Sequence, residues 1–159
     1  MPPTSTELSS LRSFLDEIFF GPAWHGPSLR GAVRGVTPAQ AVWRATPRRH
    51  NIAELAVHAA YWKYAVRRRL TGETRGSFAL EGSNWFRRDE ATAASWRADV
   101  ALLVSEHRRL GQAVGAFKAG KLGRRLPGGQ WTALATIRGA AMHDAYHAGQ
   151  IQLIKRLMR

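Results

Sequence analysis

From Trp96 to Phe117 the sequence reads WRADVALLVSEHRRLGQAVGAF, and its Trp96, Val100, Leu103, His107, Leu110, Val114 and Phe117 step by four and three without a break. That spacing lays one apolar stripe along an α-helix. Downstream, Leu126-Pro127-Gly128-Gly129 interrupts the chain. Trp131 to Met158 then holds no proline and keeps Leu134, Ile137, Ala140, Ala141, Ile151 and Ile154 apolar. This predicts a helix of roughly 28 residues, about 42 Å long at 1.5 Å per residue.

Upstream, Glu73 to Thr92 carries Gly76, Gly82, Ser83 and Asn84 and shows no sustained period, so it reads as a long connection, with Trp85 and Phe86 placed to fold over something. Before it, Asn51 with Glu54 three residues later predicts a helix cap. Ile52, Leu55, Ala59, Trp62, Val66 and Leu70 continue the stripe until Gly72 stops it. The chain opens on Thr4-Ser5-Thr6-Glu7, a capping box, followed by Leu8, Leu11, Leu15 and Ile18 at helical spacing and a stop at Gly21-Pro22. Ala23 to His50 is irregular except for a short helix after Thr37-Pro38-Ala39-Gln40, ending at about Arg44. Four amphipathic helices, no β-alternation and two long connections out of three predict an all-α fold. The expected architecture is an antiparallel four-helix bundle with long crossover connections, in one domain over residues 1–159.

Composition narrows the function classes. With no cysteine among 159 residues, disulfides, thiolate metal sites and cysteine nucleophiles are excluded, and a cytoplasmic location needs the least explanation. No apolar run approaches the ~18 residues of a membrane span, and no basic leader precedes an apolar stretch, so a soluble, unprocessed chain is expected. The formal charge is +13, from 24 Lys+Arg against 11 Asp+Glu. Such a field attracts anions: an anionic small substrate, acidic lipid or nucleic acid. Arg48, Arg49, Arg67, Arg68, Arg69, Arg124 and Arg125 could serve weak nucleic-acid binding or form a solvated basic face. Arginine far outnumbers lysine, a bias that a GC-rich coding sequence also produces, and no base-reading motif is present.

His143 and His147 sit at i and i+4, one turn apart on one helix face, where a single metal ion can accept both. They lie near the apolar stripe, and burying two uncompensated imidazoles is costly unless something binds them. His58 lies between Leu55 and Trp62 on the expected buried face of the Asn51-capped helix. Alone it reads more readily as a satisfied core histidine than as a ligand. His107, on the stripe of its own helix, reads better as a hydrogen-bonded core residue than as a ligand. Asp144 could orient an imidazole, pair across helices or be solvated. Trp24 and His25 could line a pocket or form a lid and a loop, and His50 reads as a surface residue before a cap. Tyr146 and Gln150 could support the imidazoles or merely pack, and Gly149 could admit a neighbouring helix.

The stretch Asn51-Ile52-Ala53-Glu54-Leu55-Ala56-Val57-His58-Ala59-Ala60-Tyr61-Trp62, with His143-Asp144-Ala145-Tyr146-His147-Ala148-Gly149-Gln150-Ile151 far downstream, resembles the DinB/YfiT-like superfamily of damage-inducible metal proteins. Ala23-Trp24-His25-Gly26-Pro27-Ser28 and the Trp96 to Leu110 stripe extend the resemblance over nearly the whole chain. It implies an up-down-down-up bundle, often a homodimer, with a divalent metal on one histidine of the second long helix and two of the fourth. In this chain those are His58, His143 and His147. Among relatives the resemblance brings thiol-dependent transferases and isomerases that use bacillithiol, mycothiol or glutathione, alongside many members without a known reaction.

Three neutral imidazoles with an open fourth position would make zinc the first choice and nickel the second, acidifying a bound water or thiol. The expected function is a metal-dependent enzyme, a thiol S-transferase or related hydrolase or isomerase, acting on a small molecule in stress or detoxification. The basic surface would draw in an anionic substrate. A metal-binding stress protein without turnover is the alternative.

Overall fold

A computed structural model, described for residues 5–158, is all-α, with no β-strand among the described residues. The helices are α1 (Ser5–Phe20), α2 (Leu29–Val33), α3 (Pro38–Val42), α4 (Ile52–Thr71), α5 (Ala93–Gly115) and α6 (Ala133–Leu157), with a 3-10 turn at Ala119–Lys121. The cap expected at Thr4 lies outside the described residues. The long helices begin where side chains satisfy their free N–H groups: Asn51 accepts from the Glu54 amide, Thr92 from Ser95 and Thr132 from Ala135. Gly72, at φ 80°, ends α4 in the left-handed conformation that glycine adopts without strain. Among the described residues no helix is long and apolar enough to cross a membrane.

The stretch expected to be irregular holds one more helix than the sequence suggests. Ser28 caps α2, a single turn whose Leu29, Ala32 and Val33 are buried. So short a run has no readable period, and only its packing under α1 and α6 reveals it. Trp24, read as a pocket wall or a lid, is fully exposed. Gly149 faces open space, so it admits no neighbouring helix.

The four long helices share a ring of contacts in which α1 and α4 each pack against both α5 and α6. Their core is not continuous. One apolar cluster gathers Phe19, Leu29, Leu55, Ala59, Leu103, Ala148 and Ile151, and the other gathers Leu11, Leu15, Val66, Leu110, Val114, Ile137 and Ala141. Between them each long helix contributes polar side chains at one level: Asp16, Lys63, Arg67, Glu106, His107, Asp144 and His147. Burying such groups is tolerated only when they are paired, and they pair across helices: Lys63 with Asp144, Arg67 with Glu106, and the buried His107 with the half-exposed Asp16.

Candidate metal centre

At the level of that polar layer α4 and α6 bring three imidazoles together. His143 Nε2 lies 3.2 Å from His58 Nε2 and 2.9 Å from His147 Nε2, and ligand nitrogens of all three fall within 4.8 Å of one another. The outer nitrogens explain why the inner ones converge. His58 Nδ1–H donates to the main-chain carbonyl of Asn84 at 2.8 Å, and His147 Nδ1–H donates to Gln150 Oε1 at 2.6 Å. Both imidazoles, when neutral, therefore carry their lone pair on Nε2. One proton on His143 Nε2 could bridge to one of them and would leave the other lone pair unmatched. A cation is the group that suits all three. An ion at about 2.0–2.1 Å from each nitrogen in tetrahedral geometry would need neighbouring nitrogens about 3.3 Å apart, close to the 3.2 and 2.9 Å that separate His143 from His58 and His147.

The electrostatics favour the same species. Burial, reinforced by the other two imidazoles, pushes His143 down to about 3. Burial likewise lowers His147 to about 4 and lowers His58. All three stay neutral at neutral pH, as ligation requires.

The long connection before α5 builds the rest of the site. Asn51 Nδ2 donates to the Arg88 carbonyl at 2.7 Å, and Arg88 pairs with Asp99 of α5, which pins the connection against the start of α4. Asn84 then turns at φ 65°, a left-handed conformation that asparagine tolerates better than most residues. Its carbonyl receives His58 and its Oδ1 receives Trp62 Nε1 at 2.9 Å. Trp85 stacks face to face on His58 with centroids 3.7 Å apart, and His50 stacks on the other face of Trp85 at 3.6 Å. Trp85 thus covers His58, while Phe86 is buried among Tyr61 and Phe78.

Of the other residues singled out in the sequence, His107 is a core residue: Nε2–H donates to Asp16 at 2.8 Å and the ring stacks on Phe19. Asp144 is fully buried, not solvated, and pairs across the helices with Lys63. Gln150 supports His147, Tyr146 is largely exposed, and His25 stays in an exposed loop. Arg67 is buried on Glu106 and leaves the surface run in which the sequence placed it. Lys63 and Asn84 are functional neighbours that sequence reasoning misses. Lys63 has a signal, since a lone lysine in Ala59-Ala60-Tyr61-Trp62-Lys63-Tyr64-Ala65-Val66, apolar on every side, must find a buried anion. Asn84 has only that of a turn.

An all-α chain that aims three imidazoles from two helices at one point is a helical protein competent to hold a metal. The family model described as the DinB superfamily matches residues 24–151, and the chain belongs to that superfamily. No curated protein and no solved structure matches it.

Proposed function

We propose that the protein is a metal-dependent enzyme of small-molecule chemistry, with one divalent ion, zinc or nickel, held by His58, His143 and His147. Its reaction on this reading is transfer of a low-molecular-weight thiol to an electrophile, or a related hydrolysis or isomerisation. The observation that carries the reading is the convergence of three Nε2 atoms with at most one proton to share. A divalent ion there supplies a Lewis acid that acidifies or polarises what reaches it. The chain's own residues orient and cover: Asn84 and Gln150 fix two imidazoles by their Nδ1–H groups, and Trp85 shields one face of His58 from water. A groove of about 430 Å³ that ends on His143 supports turnover over a purely structural ion. In fold terms the same reading is the antiparallel, up-down-down-up bundle, supported by the ring of contacts among α1, α5, α4 and α6.

The test is metal analysis of protein purified without a histidine tag, followed by cobalt substitution and titration with glutathione, bacillithiol and mycothiol. The expected results are one equivalent of metal and a sulfur-to-cobalt charge-transfer band with at least one thiol. Because the chain contains no cysteine, any such band comes from the added thiol. A fully loaded cobalt site that ignores every thiol would remove the transferase reading.

A further inference from the structure

The groove beside the imidazoles runs along the seam between α4 and α6. On α4 it is walled by Trp62, Val66 and Arg69, and on α6 by Thr136, Gly139 and His143. Each set steps by three and four residues, so each is one helix face, and seven residues carry each wall about 10 Å at 1.5 Å per residue. His143 and Trp62 stand together at one end, ring centroids 6.4 Å apart. Arg69 stands at the other, where Leu126, Gly129 and Trp131 close the seam.

The two ends differ in chemistry and the middle is apolar. Thr136, the one hydroxyl in the wall, is engaged by the Thr132 carbonyl at 2.8 Å. Trp62 is held in place by its Nε1–H bond to Asn84, while Trp131 keeps 65% of its surface exposed at the mouth, an indole with nothing over it. Gly139 lies inside α6, where glycine is less favourable than alanine. A Cβ there would meet no atom within 4 Å, so this glycine relieves no crowding and leaves the groove open.

Arg69 lies against the Gly129 turn, its Nη1 3.6 Å from where a Cβ on that glycine would stand. Arg67 and Arg88 pair with Glu106 and Asp99, whereas Arg69 has no carboxylate partner among the described residues. Arg69 and Leu126 also border a second cleft of about 340 Å³, whose rim carries Lys121, Arg124 and Arg125. An apolar channel thus leads from the imidazole cluster to a group of four cations.

We propose that this groove binds an organic anion with an apolar body. The body lies between Trp62, Val66 and the open face of Gly139, and its carboxylate or phosphate is held by Arg69, which lines both the groove and the neighbouring basic cleft. The molecule's other end is presented at His143. Apolar burial contributes along the walls, and a charge-assisted bond to Arg69 selects the charged head. A neutral molecule of the same shape gains only the first contribution, and a bare inorganic anion only the second. What happens at the His143 end rests on the proposed metal chemistry. Binding in the groove does not.

Calorimetric titration of the full chain separates the two, with metal content measured on every sample. The probes are 4-phenylbutyrate, 4-phenylbutyl phosphate, the uncharged 4-phenylbutan-1-ol and inorganic phosphate. The charged aryl probes should bind at least about tenfold more tightly than either the alcohol or inorganic phosphate. The tighter of the two charged probes identifies the head group as carboxylate or phosphate. Arg69→Met should bring the preferred anion down to the affinity of the alcohol without changing that of the alcohol. Gly139→Phe, checked by its melting curve, should abolish binding of every aryl probe, with metal content as in the parent. Equal affinity of acid, ester and alcohol for the parent would overturn the proposal, as would an Arg69→Met protein that still prefers the anion or no aryl binding at all. Groove binding intact in a protein that takes up no metal would instead sink the metal reading and leave the groove standing.

Discussion

The molecule holds two buried histidine environments, and burial alone does not tell them apart. His147 in the α4–α6 cluster and His107 on α5 are both pushed down to about 4, in each case chiefly by loss of water. Their partners differ. His107 gives its Nε2 proton to the Asp16 carboxylate, a donor matched to an acceptor. His147 points Nε2 at another Nε2. A depressed imidazole pKa therefore marks desolvation, whereas a ligand site is marked by acceptors left facing one another.

The largest effect should come from the group that joins the two regions. Lys63 pairs with Asp144, next to His143, and its Nζ lies 4.8 Å from the centroid of the Phe19 ring that stacks on His107. Burial works against charge at both ends of the pair, pulling Lys63 down and Asp144 up, and each is sustained by the other. Lys63→Met should therefore cost about 3–5 kcal/mol in denaturant unfolding, with Lys63→Met/Asp144→Leu recovering most of the loss. A single variant as stable as the parent would show that the buried pair does not matter.

The comparison itself is broken most directly by removing one imidazole at a time. His58→Ala, His143→Ala or His147→Ala should lower metal occupancy and melting temperature together, because ligand binding adds to folding free energy. His107→Ala should destabilise the fold while leaving occupancy as in the parent. Full occupancy in His58→Ala would dissolve the three-ligand site, and metal loss in His107→Ala would mean that α5 supplies a ligand.

A smaller effect is expected one bond further out. Gln150→Ala frees the His147 Nδ1–H and should weaken metal affinity about tenfold, measured by competition with a chelator, with little change in melting of the metal-free protein. Unchanged affinity would assign Gln150 to packing alone.

The smallest effect is a slope. His107 has a folded pKa of about 4 and an ordinary value of 6.5, so below pH 6.5 the unfolded chain binds the proton more readily than the folded one. Its presence therefore costs stability as pH falls from about 6.5 to 4 and has no effect above that window. His107→Gln, which keeps a donor for Asp16, should flatten the stability–pH curve in that range relative to the parent. Identical curves would show that His107 titrates alike in both states.

How far the sequence can be read follows from what kind of group each residue offers. The long helices and the Asn51 cap are legible because periodicity and capping chemistry are local, whereas the Thr92 and Thr132 caps are seen only in the structure. His143 and His147 are legible as a pair from their spacing, and His58 joins them only through the family resemblance. Asn84 is not, because it serves His58 through a main-chain carbonyl that any residue carries, held in place by the grip of the distant Asn51 on the nearby Arg88 carbonyl. Arg67, Arg68 and Arg69 look alike as a run. Successive helix positions turn by about 100°, which buries the first on Glu106 and sets the third in the groove. The groove belongs to the seam between two helices distant in sequence, and no single segment encodes it.

The polar layer also decides how the helices slide along one another. The apolar faces of α4 and α6 are rich in alanine, including Ala53, Ala56, Ala59, Ala60, Ala133, Ala141 and Ala148. Surfaces so smooth discriminate poorly between alignments a turn apart. A slip of one turn, about 5.4 Å, would carry Lys63 away from Asp144 into alanine and strand both charges without partners. An ion pair that adds little net attraction thus acts as a key for axial alignment, and the same notch that fits Lys63 to Asp144 brings His58 level with His143.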